Sequence, residues 1–136
     1  YNNIQEVILQ NFVPKPGTEM SFNLSPDIEV MKRSVAIARA ILQPEIAIQV
    51  PPNIFPHSMV KYGANDFGGI SSATVDYINP EAPWPEIREL QNLAQGVRLR
   101  ERLPIYPRFV ERGWYSKGKV ERLIEKQTDN EGFRSI

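Results

Sequence analysis

Cysteine is absent from the 136 residues of this sequence, and histidine is nearly so, with His57 as its only representative. Without thiols the chain has no disulfide framework, thiolate metal site or cysteine nucleophile of its own. A single histidine also excludes a multi-histidine metal centre and a histidine-based catalytic triad within this chain. His57 follows Pro56 at the start of a predicted short helix, and we expect it to be an ordinary solvated side chain.

Net charge is missing as well. The 16 Lys and Arg residues balance the 16 Asp and Glu residues, so the formal net charge is +0 and nothing attracts the chain as a whole to nucleic acid or anionic lipid. No apolar run approaches the ~18 residues of a membrane span, and nothing resembles a signal peptide. We therefore expect a cytoplasmic protein without nucleic-acid or membrane partners.

Proline is abundant, with 12 residues, and it punctuates a regular alternation of predicted elements. Apolar periodicity predicts strands over 4–12, 45–50, 65–69 and 97–103, and helices over 25–42, 56–62, 85–96 and around 120–124. The first strand is expected to be buried, and residues 127–136 are expected to be frayed. Strands that alternate with helices predict an α/β fold of parallel β-α units.

An open doubly wound sheet and part of a (βα) barrel both fit this order, and the second strand favours the barrel. Its residues Ile46, Ile48 and Val50 would face the surrounding helices, whereas Ala47 and Gln49 would point into the lumen. A full barrel takes about 250 residues, and the sequence begins at Tyr1. We therefore expect a piece of a larger protein, with part of a barrel over 1–103 and a short helical C-terminal extension over 104–136.

Polar side chains cluster after three successive predicted strands. They are Gln10, Asn11, Gln49, Asn53, Asn65, Asp66, Ser71 and Ser72. Amides and hydroxyls at the carboxyl ends of parallel strands bind polar small molecules, although the same residues also cap ordinary loops. The adjacent pair Gly68-Gly69 either makes a simple turn or lets the backbone approach a ligand; it lacks the spacing of a dinucleotide fingerprint.

Two other features favour structural roles. Arg98, Arg100 and Arg102 alternate along the last predicted strand and could clamp a carboxylate, but a solvated strand face is the commoner explanation. Trp84 lies between Pro83 and Pro85 and is expected to be a packing anchor.

Four blocks of the sequence, in order, carry a resemblance to a known family. They are IQEVILQNFVPKPGTEM, EIAIQVPPNI, GANDFGGISSATVDYINPEAPWP and LRERLPIYPRFV, which together extend over most of the chain. They resemble the later part of the 7,8-didemethyl-8-hydroxy-5-deazariboflavin synthases (FO synthases) of deazaflavin coenzyme biosynthesis, members of the radical SAM superfamily. The NDFGG and NPEAPWP blocks are the most specific.

The resemblance implies a partial (βα) barrel that holds a four-iron–four-sulfur cluster and S-adenosylmethionine. In this family a deoxyadenosyl radical acts on an adduct of tyrosine and 5-amino-6-ribitylaminouracil, which a sister subunit makes, and ring closure with loss of ammonia gives the deazaflavin. By analogy, Gly68, Gly69 and Ser71 would lie near S-adenosylmethionine. The substrate would contact Gln10, Gln49, Asn53, Asn65 and Asp66.

The sequence departs from the family in one respect, because the CxxxCxxC loop that holds the cluster is absent. We expect the cysteines to belong to a missing N-terminal half of the barrel, and this chain alone to be inactive. Two alternatives remain open. One is a sister radical SAM enzyme of the menaquinone (futalosine) pathway, which the NPEAPWP block disfavours; the other is a non-enzymatic half-barrel that acts as an interaction module.

Overall fold

The structure, a computed structural model, describes residues 4–71 and 73–135. Its contacts divide the chain into two compact units, residues 1–97 and residues 98–136. The first unit holds the parallel strands and the longest helix, and the second holds two short helices. The sequence-based boundary between 103 and 104 stays a prediction.

Helix α1, Ile28–Ile41, packs its apolar stripe against the strands. Asp27 begins the helix, since its side chain accepts a hydrogen bond from the backbone N–H of Val30 at 2.9 Å. The helix predicted over 25–42 from its apolar spacing is confirmed: Met31, Val35 and Ala38 are buried in the core, with Ile28 and Leu42 partly buried against it. The predicted start at 25 is early by three residues, because Asp27 rather than Ser25 supplies the cap.

Strands β1, Glu6–Ile8, and β2, Ala47–Gln49, pair in parallel, with Glu6 opposite Ala47 and Ile8 opposite Gln49. This confirms parallel strands in an α/β chain. The expectation that the first strand is long and buried is wrong, because β1 has three residues and Ile8 is 49% exposed. Within the described residues β1 pairs with another strand along one edge only, so no neighbouring strand covers its other edge.

The third predicted strand, over 65–69, is reduced to one bridge in which Asp66 pairs in parallel with Gln49. The backbone N–H of Val50 donates to the carbonyl of Asp66 at 3.2 Å, and that of Asn65 donates to the carbonyl of Ile48 at 3.1 Å. Gly68 has a φ of +78°, which leaves the extended conformation and ends the pairing. The described residues of the first unit thus contain a two-stranded sheet and one bridge, which does not confirm a half-barrel.

The two faces of β2 are as predicted. Ile48 and Val50 are buried in the cluster that includes α1 residues, and Gln49, on the opposite face, lines a cavity. A 3₁₀ helix, Val60–Tyr62, follows in place of the longer helix predicted over 56–62. Gly63 ends it at φ 109°, in the left-handed region that favours glycine.

Helix α2, Ile87–Leu93, completes the first unit and lies within the helix predicted over 85–96. The backbone N–H of Glu86 donates a hydrogen bond to the side chain of Glu89 at 2.8 Å, which caps the first turn of the helix. No helix within residues 4–71 and 73–135 has the length and hydrophobicity needed to cross a membrane.

The predicted strand over 97–103 is wrong, because these residues, all of them described, form no strand. Arg100 instead binds Asp129 and Glu131 at 2.7 Å each, and its guanidinium lies 3.7 Å from the centre of the Phe133 ring. With its arginine engaged by residues distant in sequence, the segment gains no strand partner among the described residues. Arg100 thus pairs with carboxylates of its own chain and is not a solvated strand residue.

Helices α3, Pro107–Glu111, and α4, Lys119–Gln127, precede a C-terminal turn. The expectation that residues 127–136 are frayed is wrong for its described part. Thr128 pairs with Arg134 in an antiparallel bridge, and the backbone N–H of Ser135 donates to the carbonyl of Gln127 at 2.9 Å. The Asp129 carboxylate, which accepts backbone hydrogen bonds from Glu131 and Phe133, holds the turn between them.

The packing of α1 predicts that truncating two of its apolar residues has very different effects on the free energy of unfolding. Val35 is 0% exposed and Ile37 is 60% exposed. We expect Val35→Ala to lower the free energy of unfolding by about 1.5–3 kcal/mol, through lost burial and a cavity. Ile37→Ala on the same helix should stay within about 0.5 kcal/mol. Urea unfolding followed by circular dichroism measures both, and equal losses would contradict this packing.

Candidate functional site

A cavity of about 140 Å³ lies in the first unit, at the carboxyl ends of β1 and β2. Four carboxamide side chains, one carboxylate and several apolar groups line it: Gln10, Gln49, Asn53, Asn79, Asp76, Pro51, Ile54, Phe67, Gly69, Ile78 and Trp84. Ligand pockets usually measure about 300–1,000 Å³. The cavity therefore has room for part of a ligand, with donors and acceptors on some walls and apolar surface on others.

Gln49 and Gly68 are packed against each other beside the cavity. A Cβ atom on Gly68 would lie 2.2 Å from Nε2 and 2.5 Å from Cδ of Gln49, so the carboxamide occupies the space that a side chain would need. The positive φ of Gly68 is a second reason for glycine at this position. For Gly69, by contrast, an added Cβ would meet nothing within 4 Å, and this residue lines the cavity.

Asn65 and Asp66 serve the backbone around β2. The side-chain oxygen of Asn65 accepts a hydrogen bond from the N–H of Ile48 at 2.8 Å. The carboxylate of Asp66 accepts one from the N–H of Gly68 at 2.5 Å. Neither residue lines the cavity. These contacts position the strand end that carries Gln49, and the substrate-contact role inferred from the resemblance stays a prediction.

Asn53 is tied to the 76–82 segment through the carboxylate of Asp76. Its Nδ2 donates to Asp76 Oδ2 at 2.9 Å and more weakly to the carbonyl of Ala82 at 3.4 Å. Asp76 Oδ2 also accepts from Asn79 Nδ2 at 3.0 Å, and Oδ1 accepts from the backbone N–H groups of Ile78 at 2.9 Å and Asn79 at 3.1 Å. These hydrogen bonds, of which that from the Asn79 side chain is the strongest influence, lower the pKa of Asp76 to about 2.

The remaining predicted residues divide between the cavity and local loop structure. Gln10 lines the cavity, whereas Asn11 makes a long 3.5 Å hydrogen bond to the carbonyl of Ile54. The hydroxyl of Ser71 accepts from the N–H of Thr74 at 3.0 Å and from its hydroxyl at 2.8 Å, as in a turn. Ser72 lies outside the described residues. His57 is exposed, as predicted.

Sequence reasoning did not single out Asp76 and Asn79, and it assigned Trp84 only a packing role. All three line the cavity. A signal for the first two existed in the block VDYINP, since an Asp followed by Asn-Pro is typical of a turn closed by the carboxylate. Their approach to Asn53 depends on a long-range contact between residues 23 positions apart, which local patterns do not reveal.

The chain's residues do not fit an iron–sulfur cluster. The sequence has no cysteine, and the part of the chain that the structure describes contains no group of three or more His, Cys, Asp or Glu side chains placed to hold a metal ion. Cluster ligation requires thiolates in nearly all known sites. The polar groups at the cavity are instead suited to hydrogen bonding with an organic ligand.

The contrast between the two adjacent glycines generates a stability prediction. Gly68→Ala should lower the free energy of unfolding by about 1–3 kcal/mol, because a Cβ there meets the Gln49 amide and the backbone conformation disfavours it. Gly69→Ala should change it by less than about 1 kcal/mol. Denaturant titration measures the stability of both variants, and an equally mild effect at Gly68 would contradict its left-handed backbone conformation.

The lowered pKa of Asp76 predicts a pH dependence of stability. The folded value of about 2 is below the reference value of 3.8, so Asp76 contributes stability above about pH 4 that is lost as the pH falls toward 2. The difference in free energy of unfolding between the original chain and Asp76→Asn should therefore shrink as the pH falls from 5 to 2. Thermal unfolding at several pH values measures it, and a constant difference would contradict the network.

Comparison with curated proteins bears on what the cavity serves. The chain is 52% identical over 135 residues to the 7,8-didemethyl-8-hydroxy-5-deazariboflavin synthase of Methanococcoides burtonii, and 50% identical over 135 residues to that of Methanosarcina acetivorans. Each match covers 98% of this chain and 41% of the relative. The enzyme of the same name from Archaeoglobus fulgidus is 52% identical over 136 residues, with 98% of this chain and 42% of the relative covered.

The chain therefore spans about two-fifths of the length of the curated relatives that it matches. No family model matches the sequence. No solved structure matches the chain either. The resemblance that the four sequence blocks indicated is confirmed: nearly the whole chain is homologous to part of the FO synthases.

Proposed function

We propose that this chain is the C-terminal part of a radical SAM enzyme of deazaflavin coenzyme biosynthesis. The intact enzyme would convert an adduct of tyrosine and 5-amino-6-ribitylaminouracil to 7,8-didemethyl-8-hydroxy-5-deazariboflavin, with loss of ammonia. The observation that carries the proposal is the identity of about half of all residues, over 98% of this chain, with synthases of that name. A polar cavity at the carboxyl ends of parallel strands supports it, because ligands of α/β proteins bind at that edge.

In this proposal the cavity binds one polar portion of the substrate. Gln10, Gln49 and Asn53 line it and would orient the ligand through their carboxamides, which offer both donors and acceptors. Asn65 and Asp66 would act through the β2 backbone that they hold. Trp84 supplies a large flat surface against which a ring can pack.

S-adenosylmethionine is proposed to lie on the side of Gly68 and Gly69. The open space beside Gly69 lets a ligand approach the backbone closely. Ser71 would act by shaping the loop after the glycines, since its hydroxyl is engaged with Thr74. The four-iron–four-sulfur cluster is assigned to another part of the protein, because this chain has no thiolate to hold it.

The proposed partners are the N-terminal half of the barrel and the sister subunit that supplies the adduct, in the cytoplasm. A related radical SAM enzyme of the menaquinone pathway is the second candidate within enzymes. The three relatives described above share the deazariboflavin synthase name, which favours the first. An interaction module would form a discrete dimer of this chain with sealed strand edges, which size-exclusion chromatography detects, whereas a severed enzyme part with an open β1 edge would aggregate.

The test uses the complete reading frame that encodes this chain, with a reconstituted cluster, and measures formation of the fluorescent deazaflavin. Gln49→Ala should raise KM for the adduct about tenfold or more, because a ligand contact worth about 1.4 kcal/mol corresponds to a factor of ten. Gln43→Ala is the matched control, since Gln43 is exposed and outside the cavity, and it should leave KM within about twofold.

Failure of the original protein to form deazaflavin from the adduct would overturn the proposed function. Equal kinetics for the two glutamine variants would instead overturn the placement of the substrate. The 136-residue chain alone is the negative control, and it should bind no iron and cleave no S-adenosylmethionine.

A further inference from the structure

Asp76 has no role in the function proposed above, although its carboxylate lines the same cavity. Its four hydrogen bonds divide into two kinds. Oδ1 accepts from the backbone N–H groups of Ile78 and Asn79 and closes a turn. Oδ2 accepts from the side chains of Asn53 and Asn79, and the second of these donors is buried. A turn alone needs only the first pair, so the contact with Asn53 requires a separate explanation.

The partners of Asn53 determine which end of its carboxamide is available. Both groups within reach of Nδ2, the Asp76 carboxylate and the Ala82 carbonyl, are acceptors. The opposite orientation would bring three oxygen atoms together without a proton between them, so the NH₂ group must face these two partners. The oxygen Oδ1 is then the atom of Asn53 that is left for another molecule.

That oxygen has no partner in the described structure. Asn53 Oδ1 is buried from solvent and accepts no hydrogen bond. Leaving such an acceptor without a hydrogen bond is unfavourable, and a donor that reaches the oxygen removes this cost. Since the atom is shielded, a ligand in the cavity must displace part of the wall to meet it.

We propose that Asp76 is a positioning residue that fixes the carboxamide of Asn53, so that Oδ1 accepts a hydrogen bond from an N–H or O–H group of the ligand in the cavity. The identity of the ligand rests on the function proposed above. The orientation of Asn53 and its dependence on Asp76 do not. At this wall the site selects a donor and disfavours a carbonyl or carboxylate oxygen.

Three variants separate positioning from turn formation. Asp76→Asn retains an oxygen for the two backbone N–H groups but places an NH₂ group opposite the carboxamides of Asn53 and Asn79, which favours flipping both of them. The flipped Asn53 then has an NH₂ group where Oδ1 was. Adding Asn53→Asp exchanges the side-chain types of residues 53 and 76 and restores an acceptor at the position of Oδ1. Asp129→Asn is the matched control, because Asp129 Oδ1 also accepts two backbone N–H groups, at 3.0 Å each, and Asp129 does not line the cavity.

The first measurement is independent of catalysis. In the complete protein labelled with ¹⁵N-asparagine, the side-chain NH₂ signals of Asn53, assigned with Asn53→Ala, should be shifted downfield and slow to exchange. Asp76→Asn should move them and Asp129→Asn should not. If Asp76→Asn leaves the Asn53 signals unchanged, the positioning role is overturned, whether or not the whole protein makes a deazaflavin.

The second measurement uses the complete protein and its substrate. Asp76→Asn should raise KM about tenfold with kcat within about twofold, since one neutral hydrogen bond is lost from the bound state. In the Asn53→Asp/Asp76→Asn double variant, at least a third of that rise in KM, on a logarithmic scale, should be reversed. Asp129→Asn should not raise KM. The proposal is overturned if Asp76→Asn and Asp129→Asn have the same KM, or if the double variant binds no better than Asp76→Asn.

Discussion

The structure of the first unit depends on the hydrogen bonds made by both edges of one short strand. On one side β2, Ala47–Gln49, pairs in parallel with β1. On the other side its backbone bonds to the 65–66 segment, and the Asn65 side chain adds a hydrogen bond to the N–H of Ile48. Three segments distant in sequence are thereby brought to a common edge, and buried backbone polar groups on β2 are satisfied.

The position of the candidate site follows from this pairing. Because the strands are parallel, the residues that follow them emerge at the same edge. Gln10 and Gln49 are therefore neighbours at the cavity, and the turn at Gly68 begins beside them. The opposite face of β2 is covered by α1, whose buried residues pack in one cluster with Ile48. This strand thus separates the core from the cavity.

The sequence predicted those features that depend on local periodicity. Helix α1 and the buried face of β2 both follow from the spacing of apolar residues. It failed where a long-range partner decides the outcome. The alternating segment at 97–103 matches a strand, yet Arg100 binds Asp129 and Glu131 instead. The Asp76–Asn53 contact was missed for the same reason. Gln10, Gln49 and Asn53, which line the cavity, could be selected as candidates because the ends of predicted strands are visible in the sequence.

A crystal structure of the complete enzyme with its substrate bound is the most direct test of the claim that the ends of β1 and β2 form a ligand site. We expect polar ligand atoms within hydrogen-bond distance, about 2.7–3.2 Å, of the carboxamides of Gln49 and Asn53. It is contradicted if the substrate binds elsewhere and the cavity is filled by side chains of the protein itself.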